Sequence, residues 1–210
     1  MAAARRARWG DPVRILKRRA THVLAATILA VLAGTPPIAA PAGPQSCDAC
    51  FRASDPLECH QVAIALAMGR EYGLAIAIEE RVHAAAPGDA EVAAALAKMY
   101  RDGTRNVARA VEMYHTALHA RPGYPPALMG LGTIMQDTGQ TDLAVRYYQR
   151  AARENPAEPL FKIRLAETLV LAGRESDADP ILKEIVQRWP GTPEAESARN
   201  LMPRTALAKP

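Results

Sequence analysis

The clearest pattern along the chain is an apolar stripe with helical spacing that recurs at a fixed interval. Leu128, Leu131 and Met135 are three and four residues apart, which places them on one face of a helix. The stretch AVRYYQRAARENP (144–156) follows with small and aromatic residues at helical spacing, and AVEMYHTALHARP (110–122) has the same pattern 34 residues earlier. The sequence therefore predicts pairs of helices that repeat along the chain.

Prolines mark the length of the repeat. Pro87, Pro122, Pro156 and Pro190 are separated by 35, 34 and 34 residues. A proline cannot continue a helix without a steric clash, so each should end the second helix of a unit. Gly139 should allow the left-handed turn that separates two helices. The predicted units are 56–89, 90–124, 125–158 and 159–192.

The segments around these units complete the predicted fold. Residues 193–202 should form an amphipathic helix that caps the last open apolar face, as solenoids require. Residues 203–210 are expected to be a flexible tail. The chain is rich in alanine, which favours helix, and β-branched runs between turn signals are scarce. We therefore expect an all-α solenoid of antiparallel helix pairs.

The unit 125–158 closely resembles the tetratricopeptide repeat family. It has that family's large, small, aromatic, turn and proline positions at Leu128, Leu131, Gly132, Met135, Gly139, Ala144, Tyr148, Ala151 and Pro156. The unit 90–124 contains RDGTRNVA and is one residue longer before its second helix, so it resembles a Sel1-type repeat. The first unit departs from the pattern by placing charged Glu79 at an aromatic position.

The resemblance implies a function and a site. In this family the first helix of each unit lines a concave groove that binds a peptide or a partner helix. Carried over to this chain, the partner-binding residues are His60, Ile64, Met68, Lys98, Arg101, Met129, Thr133, Gln136, Ile163, Glu167 and Val170. That surface would be apolar with a basic centre. The resemblance therefore implies a non-catalytic scaffold that binds a protein partner without a cofactor.

The first 42 residues are ordered like a secretory signal. Seven of the 26 basic residues lie in the first 20 positions, and an eleven-residue apolar run, 23–33, and a small, proline-rich stretch follow. Cleavage is expected after Ala42, or after Ala33, and an uncleaved anchor or a mitochondrial transit peptide are the alternatives. We expect export to the periplasm, or an inner-membrane anchor with the rest of the chain facing the periplasm.

Three cysteines lie close together after this segment. Cys47 and Cys50 fall in a predicted linker, 43–55, and Cys59 lies in the first helix beside His60. A disulfide is the default in an oxidising compartment, while unpaired thiols or a zinc site with His60 as the fourth ligand are alternatives. A redox or metal-binding protein, with the repeats as its docking arm, is therefore the second functional hypothesis.

Charge and motifs exclude several other functions. Beyond residue 20 the chain has a net charge of −2, so it lacks the basic stripe that nucleic-acid binding needs. The sequence has no Gly-rich phosphate loop and no nucleophile elbow. His115 and His119 are one helical turn apart, but they are more typical of a solvated helix face than of a metal site. The Glu79-Glu80-Arg81 stretch is also expected to be solvated.

Overall fold

The computed structural model describes residues 48, 50, 51 and 55–202, and the predicted signal segment and tail lie outside the described residues. Described residues form helices and no strand. The helices are α1 Pro56–Met68, α2 Tyr72–Ala85, α3 Ala90–Met99, α4 Val107–Ala120, α5 Pro125–Asp137, α6 Thr141–Glu154, α7 Pro159–Leu171, α8 Glu175–Arg188 and α9 Pro193–Leu201, with a π-helical turn at Tyr100–Thr104. The all-α solenoid is confirmed.

The helix boundaries follow from local chemistry. Proline occupies the first turn of α1, α5, α7 and α9, where its fixed φ suits a helix and its missing N–H leaves no bond unmade. Asp55 and Asp89 cap α1 and α3, each accepting a hydrogen bond of 2.8 Å from a backbone N–H in the first turn. Each second helix ends two residues before one of the four repeating prolines.

Each of the four predicted units contains one helix pair, and within each pair the helices pack along the stripes seen in the sequence. In the third unit Leu128, Leu131 and Tyr148 are buried in the joint core. Ala144 and Ala151 are fully buried as well, as the repeat pattern predicts, whereas Ala152 is only half-buried. The small residues therefore lie where two helices approach closely.

The turn between the two helices of each unit adopts a left-handed conformation at the same position. Gly139 and Gly173 have φ values of +75° and +70° there, and Arg70 and Arg105 have φ values of +65° and +54°. The first two units thus carry an arginine where a glycine would be free of Cβ strain.

The additional residue of the second unit lies in a helical turn. The expectation of a longer Sel1-like loop is not met, because α3 continues into the π turn Tyr100–Thr104. A π turn takes one residue more than an α turn, so it absorbs the extra residue. Gly103 packs against the Tyr72 side chain of the first unit, and a Cβ at that glycine would lie 2.3 Å from the ring's Cγ.

Candidate functional site

One face of the first helices carries most of the predicted binding residues. Two residues of this first-helix face, as we name it, are half-buried on α7, namely Glu167 and Val170. The other members are Ile64, Lys98, Arg101, Met129, Thr133 and Gln136, all half-buried except for exposed Lys98. Helices α1, α3 and α5 pack side by side, so their members adjoin one another. These side chains are left over from core packing, as expected of a surface that meets a partner.

The centre of this face is less basic than the sequence suggests. The Lys98 ammonium is 2.6 Å from one carboxylate oxygen of Asp102, and the Arg101 guanidinium is 2.7 Å from the other. Burial alone would raise the pKa of Asp102, but the hydrogen bonds from Arg101 and Lys98 outweigh it and lower that pKa. Asp102 is therefore ionised, and the two cations and one carboxylate leave a single net positive charge.

Hydroxyl groups lie in the middle of the face, on α5. The Thr133 hydroxyl lies 3.2 Å from the Tyr148 hydroxyl and donates to the Met129 carbonyl oxygen at 3.0 Å. Tyr148 comes from α6 and reaches α5 because Gly132 has no side chain; a Cβ there would lie 2.5 Å from the tyrosine ring. Burial raises the pKa of Tyr148, so its hydroxyl stays protonated and available for hydrogen bonding.

Three predicted groove residues are placed differently from the others. His60 and Ile163 are each only 3% exposed, so neither side chain is available to a partner. His60 is held inside by a hydrogen bond to α2, and Ile163 packs in the core of the fourth unit. Met68, at the end of α1, is 83% exposed, and its neighbour Ala67 occupies the position equivalent to Arg101 and Gln136.

A cleft opens at the amino-terminal end of the first-helix face. It has a volume of about 260 Å³ and is lined by Ile64, Ala67, Met68, Arg70, Tyr72, Ala95, Lys98 and Met99. Only three of these, Ile64, Met68 and Lys98, were expected from the sequence. Ala67 could have been found by applying the 34- and 35-residue offsets strictly. Tyr72 and Arg70 lie on the turn after α1, and the repeat pattern gave no signal for them.

A buried polar pair joins α1 to α2. His60 Nδ1 lies 2.7 Å from Glu79 Oε1, and Glu79 is fully buried, so the expectation of a solvated stretch is wrong for this residue. Burial raises the pKa of Glu79. Burial alone would lower the pKa of His60, but the hydrogen bond and charge of Glu79 outweigh it and raise that pKa. Both effects favour retention of the proton that the pair shares.

The cysteines form a structural link beside this pair. Cys50 and Cys59 are joined in a disulfide, with their Cα atoms 5.8 Å apart, and both are buried. Cys47 lies outside the described residues. Although 43–55 was predicted as a linker, Asp48, Cys50 and Phe51 are helical, and Phe51 stacks under the Arg81 guanidinium at 4.3 Å.

The predicted redox or metal alternative gains no support from this arrangement. Buried disulfide sulfurs are poorly accessible to an exchanging thiol, and the His60 nitrogen is already bonded to Glu79. Among the residues that the structure describes, no three His, Cys, Asp or Glu side chains come together to hold a metal ion. His115 and His119 are both exposed on α4. Within the same part of the chain, no helix is both long and apolar enough to cross a bilayer.

Comparison with known proteins agrees with this architecture. Residues 136–201 match the family described as tetratricopeptide repeat. A mutant of MamA is 25% identical with a TM-score of 0.53, over 68% of this chain and 83% of that chain. YrrB, described as a TPR protein with an unusual peptide-binding site, is 21% identical with a TM-score of 0.56, over 68% of this chain and 72% of its own.

A third similar structure is MamA from Desulfovibrio magneticus RS-1. It is 18% identical with a TM-score of 0.57, over 66% of this chain and 78% of that chain. None of the curated proteins matches the chain. The helix pairs, the fixed period, the family match and these structures together identify the chain as a tetratricopeptide repeat protein, a scaffold suited to protein–protein interaction.

Proposed function

We propose that the chain is a non-catalytic adaptor that holds a segment of a partner protein against the first-helix face, as in a concave groove. The observation that supports this is the row of side chains on the first helices that the core does not use, centred on Met129, Thr133 and Gln136. The row offers an apolar group, two hydrogen-bonding groups and one net positive charge, from the Lys98, Arg101 and Asp102 cluster. A partner segment with an apolar anchor beside a carboxylate fits that combination.

We further propose that this adaptor works outside the cytoplasm, in an envelope assembly such as a pilus or a secretion system. Two observations support export. The first is the order of basic, apolar and small residues in the first 42 positions, which is typical of secretory signals. The second is the disulfide between Cys50 and Cys59, because disulfides persist mainly in oxidising compartments. An anchor retained at the amino terminus would also associate the adaptor with the membrane.

Site-specific photocrosslinking in cells of the source organism tests the proposed binding face. A photoreactive amino acid replaces Gln136 on the first-helix face in one variant and exposed Arg146 on α6 in the control. We expect a defined crosslinked partner from position 136 and none from position 146. Equal crosslinking from both positions, or none from position 136, would show that the partner does not use this face.

Amino-terminal sequencing of the protein from separated cell fractions tests export. We expect a mature chain that starts near residue 43 or residue 34, or an intact chain in the membrane fraction. An intact amino terminus in the cytosolic fraction would contradict export, and it would leave the binding proposal to be decided by the crosslinking.

A further inference from the structure

A second cleft lies away from the first-helix face, between the second helices of the third and fourth units. It has a volume of about 360 Å³, within the range of about 300–1,000 Å³ found for ligand sites. Its walls come from α6 and α8, and its floor from α7. It is lined by Gln149, Ala152, Arg153, Lys162, Leu165, Ile181 and Glu184.

The cleft exists because the fourth unit departs from the third at a core position. Lys162 occupies the position of Leu128, which is fully buried one unit earlier. Similarly, Ala152 on the wall stands at the position of Leu118, which is largely buried between α4 and the next unit. A smaller wall residue leaves space, and a lysine at a leucine position brings a charge to the bottom of that space.

The Lys162 side chain is only 15% exposed and extends along the cleft toward its charged end. Its ammonium pairs with the Glu184 carboxylate and lies 5.5 Å from the centre of the Trp189 ring. Arg188 bonds the same carboxylate at 3.4 Å, and its guanidinium stacks on the same ring at 4.8 Å. One carboxylate thus faces two cations on this wall.

The opposite wall adds a further cation. Arg153 is exposed at the end of α6 and makes no ion pair within the described part of the chain. Together Arg153, Lys162 and Arg188 bring three positive charges to the cleft against the single negative charge of Glu184. The apolar part of the lining is formed by Ala152, Leu165 and Ile181. Positive charge beside an apolar floor complements a carboxylate that is next to an aliphatic group.

We infer that this cleft is a second binding site, which takes an acidic segment of a partner protein. A glutamate or aspartate carboxylate of the segment lies between Arg153 and Lys162, and a neighbouring aliphatic side chain packs on Leu165 and Ile181. The site is separate from the first-helix face, so the adaptor holds two segments at once, and binding at two linked sites strengthens association without any new contact at either one.

Titration of the full, ¹⁵N-labelled chain with short peptides, followed by NMR, tests this inference. The probe is the blocked peptide acetyl-Gly-Glu-Leu-Glu-Gly-amide, and the matched control peptide has Gln in place of each Glu. We expect saturable shifts of the Gln149, Leu165 and Ile181 amides with the acidic peptide. Binding of the Gln peptide should be at least about tenfold weaker, because it lacks the charge-assisted hydrogen bonds.

Two variants and one control complete the test. Arg153→Gln should weaken the acidic peptide about tenfold, whereas Arg146→Gln, on an exposed position of the same helix, should leave its affinity unchanged. Lys162→Leu restores the leucine of the preceding unit, so it should preserve the fold while it also reduces binding. Shifts confined to Thr133 and Gln136, equal binding of the Gln peptide, or an unaffected Arg153→Gln variant would overturn the second site.

Discussion

The first and third units place opposite kinds of side chain at the same position of their second helices. In the third unit that position is Tyr148, whose ring packs against Gly132 and whose hydroxyl meets Thr133. In the first unit it is Glu79, which is fully buried and bonded to His60. The fold needs this position to be filled and satisfied. An aromatic ring does so independently of pH, while the acid–imidazole pair does so only with its proton in place.

The largest effect should come from removing the aromatic ring. Tyr148→Ala deletes a buried ring and leaves a cavity between α5 and α6, so we expect the free energy of unfolding to fall by about 3–5 kcal/mol. Tyr148→Phe keeps the ring and removes only the hydroxyl, which should cost about 0.5–1.5 kcal/mol. Urea denaturation measures both. Similar losses for the two variants would show that the hydroxyl contacts, rather than ring packing, dominate at this position.

Breaking the polar pair of the first unit should have a smaller effect. Glu79→Leu fills the space but leaves the buried His60 nitrogen without its partner, which should cost about 1–3 kcal/mol. Adding His60→Leu should recover much of that loss, because replacing both partners of a buried pair by apolar residues is often neutral or stabilising. If the double variant were less stable than Glu79→Leu alone, the pair would not be the source of the loss.

The pair should also make the stability of the chain depend on pH. The pKa of His60 is raised above its ordinary value of 6.5, so the folded state keeps a proton that the unfolded chain releases. This contribution is fully present below about pH 6.5 and is lost as the pH rises through the folded pKa. The raised pKa of Glu79 acts in the same direction, since it too favours the protonated state.

Urea midpoints measured from pH 6 to pH 9 test this dependence. The parent chain should lose stability over that range, and the chain with His60→Leu and Glu79→Leu should lose clearly less. The same slope for both chains would assign the pH dependence to other groups.

The smallest effect concerns the turn between the two helices. Arg70 of the first unit has a φ of +65°, where the third unit has Gly139. Arg70→Gly relieves the Cβ strain of the left-handed conformation, and we expect a gain of about 1 kcal/mol in the free energy of unfolding. Arg70→Ala is the matched control, because it removes the same side chain but keeps the Cβ. A gain for both variants would point to the arginine side chain instead of the backbone.

The sequence predicts most of the fold because its boundary signals act locally. A proline stops a helix wherever it stands, and Gly139 turns the chain with no help from distant residues. The 34-residue period then aligns the units, so helix pairs and core positions such as Ala151 follow directly. These features need only the neighbouring residues in the chain.

The site could be predicted only in part, because its exceptions depend on distant contacts. Glu79 stands in a stretch that looks solvated, and its burial is decided by His60, 19 residues away. Asp102 is one residue from Arg101, yet only the structure shows that it also pairs with Lys98. With three cysteines, spacing does not specify the pairing, and the Cys50–Cys59 link had to come from the fold.

The π turn at Tyr100–Thr104 shows how a repeat protein tolerates a change in length. An inserted residue in an α-helix would rotate every later side chain by about 100° and move core residues to the surface. Here the insertion is confined to one wide turn, and the following units keep the phase that lets their faces stack. Gly103 makes room for that turn against Tyr72. Insertions that enter in this way change the reading of the repeat by one residue while they leave the superhelix that it encodes intact.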